Sequence, residues 1–235
     1  MNKNILSAAF LLGGLFIGLS VSLAVIAPRQ AAAPKYNNTL QQSIYTPTMQ
    51  PLLWEKNAPH RAEWSRHLFR EIEKNIDALD KASDMDYFCP KYDSLDKQQK
   101  INVWAQLFAA MALYESNFQP TARYVEPTRD IDPVTNGPVI SEGLLQLGYS
   151  DKLYHGCNFN WAADQRYSET DSRRTILDPY NNLSCGVIIM THQIQKYGSI
   201  VISHGAYWAV LKIGHRNIKL EEIKKIINNY DMCVK

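Results

Sequence analysis

Glu115 occupies a position where the pattern of the chain asks for an apolar side chain. Ile101, Trp104, Phe108 and Met111 recur at spacings of three and four, and the next place on that stripe is the glutamate. Burying an ionised carboxylate without a partner costs several kcal/mol, or else its pKa rises until it keeps its proton. A carboxyl group that keeps its proton near neutral pH is a general acid. The competing reading is a glutamate that turns to water at a frayed helix end. Further acids follow in the next loop: Glu126, Asp130 and Asp132. The last two lie in the turn-rich "DIDPVTNG", where aspartate also serves local backbone hydrogen bonding.

The elements that must position these groups are mostly helical. Trp64, Leu68, Ile72, Ile76 and Leu79 give one amphipathic helix. Ser94 is read as the N-cap of a second, which runs through Ile101 to Tyr114 and is stopped by Asn117 and Pro120. From Gln119 to Val139 the chain is rich in Pro, Asp, Asn and Gly, and a loop of that length is either functional or disordered. A short hairpin is expected between Asp130 and Ile140. "DPYNN" reads as a turn entering the helix "LSCGVIIMTHQIQKYG", "SHGAYWAVLKIG" as a continuing helical stretch, and "KLEEIKKIINNYDMC" as a closing amphipathic helix whose "EEIKK" run is a solvated face. Strand signals are sparse, so the class is mainly α.

Four short motifs occur in order: "ESNFQP" from Glu115, "GLLQ" at Gly143 to Gln146, "NLSCG" at Asn182 to Gly186, and "AYW" at Ala206 to Trp208. Together they resemble the lytic transglycosylase and goose-type lysozyme superfamily. Its pattern is a Glu-Ser pair closing a helix, then Gly-Leu-Met-Gln, an Asn-hydrophobic-x-x-Gly helix start and Ala-Tyr-Asn. The resemblance runs from Ser94 to Gly214 and implies a lysozyme-like, mainly α domain with minimal β structure. It also implies that Glu115 protonates the glycosidic oxygen between N-acetylmuramic acid and N-acetylglucosamine. The same group then acts as base while the muramic acid 6-hydroxyl closes a 1,6-anhydro ring. Ser116 would line the cleft, Gln146 would bond substrate amide or hydroxyls, and Tyr207 would bring its hydroxyl near the glutamate or the sugar.

A lysozyme-type hydrolase is the alternative within enzymes, with Asp130 and Asp132 as candidate second carboxylates that position water. A non-catalytic glycan-binding envelope protein is the alternative outside them. Glu115, Ser116 and Gln146 together argue against that last reading, while Trp208 in place of the motif asparagine keeps it open. Glu142 is expected to be a solvated loop acid, and Trp161 and Trp208 core residues. Tyr149 and Tyr154 are placed on the groove by position alone. Acid and base chemistry on a glycosidic bond implies no cofactor.

The partner implied is a peptidoglycan glycan strand. A formal charge of +2, from 25 basic and 23 acidic residues, gives no field that argues for nucleic acid. Lys3 precedes an uncharged run from Asn4 to Pro28, long enough to span a bilayer, so an export signal or a membrane anchor is expected there. "AAA" at Ala31 to Ala33 resembles a cleavage site, but Pro34 disfavours the cut. The organisation read from this is 1–33 signal peptide or anchor, 34–59 flexible linker, and 60–235 lysozyme-like transglycosylase domain. Export would place the chain in the periplasm or on the outer face of the inner membrane. Cys89, Cys157, Cys185 and Cys233 would then form two disulfides. Three pairings are open, and Cys157 with Cys185 plus Cys89 with Cys233 is preferred because it ties the tail to the domain's start. No HExxH, HxxxH or CxxC spacing supports a metal.

Overall fold

The computed structural model describes residues 50–128 and 130–234. The expected signal or anchor and most of the expected linker lie outside the described residues. Among the described residues no helix is long and apolar enough to cross a membrane.

In chain order the elements are α1 (Ala62–Leu79), α2 (Met85–Phe88), α3 (Lys97–Ser116), β1 (Arg123–Val125), β2 (Ile140–Glu142), α4 (Asp151–His155), α5 (Trp161–Asp164), α6 (Pro179–Tyr197), α7 (Leu220–Ile227) and α8 (Asp231–Val234). The fold is mainly helical, as expected. At its centre is α3, which packs against α1 and α7. Every residue from Ile101 to Ala112 is buried, so the helix is enclosed all round rather than on one stripe. Asp96, not Ser94, is its N-cap. Its carboxylate accepts the Gln99 N–H at 2.8 Å while the Gln99 side chain accepts the Asp96 N–H at 3.0 Å. This reciprocal box satisfies two orphan donors, whereas the Ser94 hydroxyl is spent on Lys91 O in the preceding turn.

Two polar residues inside α3 explain a second departure from expectation. Asn102 and Gln106 are buried and need partners, and they find them on the backbone of the segment expected to end the linker. Asn102 pairs both ways with Gln50 at 2.8 and 3.0 Å, and Gln106 donates to Pro51 O at 2.9 Å. Leu52 and Trp54 are thereby seated in the core, ahead of the boundary at residue 59.

The preferred disulfide pairing is the one formed. Cys89 joins Cys233 on α8, and Cys157 joins Cys185 on α6. The stretch read as helical, Ser203 to Gly214, forms a single 3-10 turn at Ala209–Leu211 within an irregular segment that begins at Ser199 after α6. Asp84 holds the start of that segment by accepting from Ser199 Oγ, Ile200 N and Val201 N at 2.5 to 2.8 Å, which diverts those groups from a helical ladder.

The long loop after α3 carries an antiparallel hairpin, paired Arg123 with Glu142, Tyr124 with Ser141 and Val125 with Ile140. A further bridge, Ile131 to Pro138, falls within the stretch where the hairpin was expected, so the ribbon reaches well beyond it at both ends.

Candidate active site

Glu115 lies one residue from the end of α3, whose chain reverses through two left-handed residues, Asn117 (φ 50°) and Phe118 (φ 59°). The residue is partly buried, yet its Oε1 is fully so and has no hydrogen-bond partner. Burial raises the carboxyl to about 7, and the negative charge of Glu126 pushes the same way. The partial negative charge at a helix C-terminus adds to this. A carboxyl group so placed is poised to give and retake a proton near neutral pH.

Glu126 follows β1 directly. Its backbone N–H bonds Val139 O at 3.0 Å, which continues the ribbon, and its carboxylate accepts the Ser141 hydroxyl at 2.5 Å. Side chains alternate across a strand, so Glu126 and Ser141 share one face while Arg123, Ile140 and Glu142 share the other. That other face lines a cavity of about 390 Å³ with Tyr149, Trp161, Asp164 and Arg174. Glu115 and Glu126 are not part of it.

The turn from Gly143 to Gln146 is locked onto α6. Asn182 is buried, accepts Leu145 N–H at 2.8 Å and donates to Glu142 O and Ile176 O, each at 3.1 Å. One helical turn on, Gly186 leaves room for the Leu145 side chain, which any Cβ there would strike. The third fixing point is Trp208. Its indole N–H donates to Leu145 O at 3.0 Å and its ring is buried against Tyr207. The tryptophan that replaces the motif asparagine therefore supplies a backbone hydrogen bond to this turn from within the core. Gly143 has φ 82°, and a methyl group there would meet Ile176 O at 2.9 Å and the Asn182 amide. Gly143→Ala should cost about 2 kcal/mol of stability, read from the urea midpoint. An unchanged midpoint would mean that Asn182 does not hold this turn.

The remaining candidates are placed as follows. The Ser116 hydroxyl donates back to Ala112 O at 3.0 Å, an intrahelical bond. Gln146 sits at φ 52° and its amide nitrogen donates to Gly143 O at 2.9 Å and Ala122 O at 3.4 Å. The Tyr207 hydroxyl donates to Asp151 Oδ2 at 2.5 Å and lies near enough to Glu115 to feel its charge. Asp130 is exposed. Asp132 is buried and accepts the N–H groups of Val134, Thr135 and Ser150 at 2.8 to 3.0 Å, so both its oxygens serve the loop backbone. Glu142, expected to be solvated, is buried against Arg174 at 2.6 Å. Tyr149 is buried, while Tyr154 is exposed. Glu126 and Asp151 are the two acids that the motifs did not single out. Among the described residues no cluster of three or more His, Cys, Asp or Glu is arranged to hold a metal.

A family model described as the transglycosylase SLT domain matches residues 94–229. Among solved structures, "Bd0314 DslA wild-type form 2" is 31% identical, covers 80% of this chain and 100% of its own, and superposes with a TM-score of 0.64. Two single glutamate-to-glutamine mutants of the same DslA match at 30% identity with the same coverage and TM-score. No curated protein matches.

Proposed function

The chain belongs to the transglycosylase SLT family, and from that premise we propose that it cuts the MurNAc-GlcNAc β-1,4 bond of peptidoglycan with Glu115 as general acid and base. The observation that carries this reading is the Glu115 carboxyl, buried at a helix end and raised to about 7 with one oxygen unpartnered. Such a group can protonate the glycosidic oxygen. Once ionised, it can take the proton of the sugar 6-hydroxyl as that oxygen attacks the anomeric carbon, leaving a 1,6-anhydro muramic end. Two disulfides fit a site of action outside the reducing cytoplasm, where peptidoglycan lies.

A second reading of the product has a specific observation behind it. Glu126 is close enough to raise Glu115, and Ser141 fixes its carboxylate. The glutamates replaced in the two DslA mutants are eleven positions apart, the spacing of Glu115 and Glu126 here. With Glu126 as a second carboxylate, water instead of the 6-hydroxyl would attack. This takes the second-carboxylate role from Asp130 and Asp132 and gives it to Glu126.

Mass spectrometry of fragments released from purified peptidoglycan decides between them. Anhydro ends that persist in Glu126→Gln and vanish in Glu115→Gln are the expected result. Reducing ends that carry an added water and vanish in Glu126→Gln would establish the hydrolase. No release from native or deacetylated polymer would leave a glycan-binding protein.

A further inference from the structure

Tyr207 has one proton to give, and two carboxylates bear on it. Glu115 Oε1 is buried without a partner although this hydroxyl lies within range of its charge. The hydroxyl faces the other acid. It donates to Asp151 Oδ2 at 2.5 Å, and the same oxygen accepts the Gly148 N–H at 2.8 Å. Asp151 opens α4 and is 3% exposed, so its carboxylate is committed to these two donors. The phenol ring is clamped as well. His155, one turn along α4, sets its ring edge-on at 6.2 Å between centroids, and Trp208 does so at 4.9 Å.

We propose that Asp151 is a positioning residue: by holding the Tyr207 proton it denies Glu115 a hydrogen-bond donor, and the glutamate therefore keeps its own proton for the leaving oxygen. A donated phenol hydrogen bond would stabilise ionised Glu115 and weaken it as an acid. Asp151 removes that donor without adding a contact to the glutamate. The inference rests on the general-acid reading of Glu115.

The groups that face this pair are few. The charge of Asp132 bears on Asp151 and that of Glu126 on Glu115, and His155 stacks on His192 of α6 with Nδ1 atoms 3.1 Å apart. Burial lifts Asp151 to about 6, with the bonds from Tyr207 and Gly148 opposing and Asp132 adding to the rise. Above that pH it is ionised and accepts the phenol hydrogen bond. Burial, then the charge of His192, holds His155 below the ordinary imidazole value.

Carboxyl carbon NMR of the full chain labelled at glutamate tests this directly, with the Glu115 resonance assigned by its loss in Glu115→Gln. Asp151→Asn should lower the Glu115 midpoint by about one pH unit, because an amide oxygen competes poorly with a carboxylate for the phenol proton. In the Asp151→Asn/Tyr207→Phe double variant the midpoint should return to that of Tyr207→Phe alone. The alkaline limb of the pH–activity profile should move with it. An unchanged midpoint in Asp151→Asn, or a drop that persists without the hydroxyl, would overturn the assignment. Should Asp151→Asn fail to fold, Asp151→Ser is read in the same way. If the titration behaves as expected but no peptidoglycan is cut, the proposed function fails, while the hold of Asp151 on the Tyr207 hydroxyl and its effect on the Glu115 proton stand.

Discussion

Glu115→Gln is expected to abolish glycan release, a loss of about a thousandfold or more, and also to make the folded protein more stable at neutral pH. Both effects have one cause. In the folded state this carboxyl titrates at about 7 against an ordinary 4.5. Between those values the native protein binds a proton that the unfolded chain has released, so stability falls as pH rises through the window. Glutamine keeps the shape and does not titrate. The gap between the melting temperatures of variant and parent should therefore open between about pH 4.5 and about pH 7 and stay level above it. Its plateau should correspond to roughly 1–3 kcal/mol, the lower part allowing for the residue's partial exposure. Thermal melts of both proteins across that range measure it. Curves that run together at every pH would mean a solvated glutamate, and the physical ground for the acid role would be gone.

That glutamate was legible because a carboxylate interrupts an apolar stripe, a violation visible in the letters alone. The turn from Gly143 to Gln146 and its dock on Asn182 and Gly186 were legible as motifs, but their reason was not. An asparagine and a glycine four apart on one helix face, one bonding the turn and one making room for Leu145, is a three-dimensional relation. Glu126 was passed over for Asp130 and Asp132 because the lysozyme-type alternative looked for aspartates in this loop. Strand alternation put the glutamate and Ser141 on the same face of the ribbon, and alternation could be applied only once the register was known. Asn102 and Gln106 are polar residues within the buried run of α3. Their partners are fifty residues or so upstream, in a segment whose prolines suggested a tether. Trp208 was expected in the core and is there. Its indole N–H gives the expected burial a purpose, since the N–H reaches the same turn that holds Gln146.

Arg174→Met should be the most destabilising single change near the site, costing about 3–5 kcal/mol. The arginine is 4% exposed and Glu142 1% exposed. Arg174 Nη1 donates to Glu142 Oε1 at 2.6 Å and to Glu169 O at 2.5 Å, and Nη2 donates to Tyr149 Oη at 3.1 Å. Among the described residues, removing it leaves Glu142 with only the more distant Arg123, at 3.5 Å, as an ion-pair partner. A buried carboxylate that loses its close cation raises its pKa, so the deficit should grow as pH rises above the ordinary carboxylate range and shrink in acid. The position of Glu142 connects this to catalysis. It ends β2, whose opposite face carries Ser141 against Glu126, and its carbonyl is one of the points by which Asn182 holds the Gln146 turn. Activity should accordingly fall even at temperatures where the variant is folded. Adding Glu142→Gln to Arg174→Met removes the stranded charge and should recover most of the stability and its flat pH response. If the double variant is instead as unstable as the single, the loss comes from the packing of the arginine stem and its bonds to Glu169 and Tyr149. In that case the ion pair does not fix this wall of the cleft.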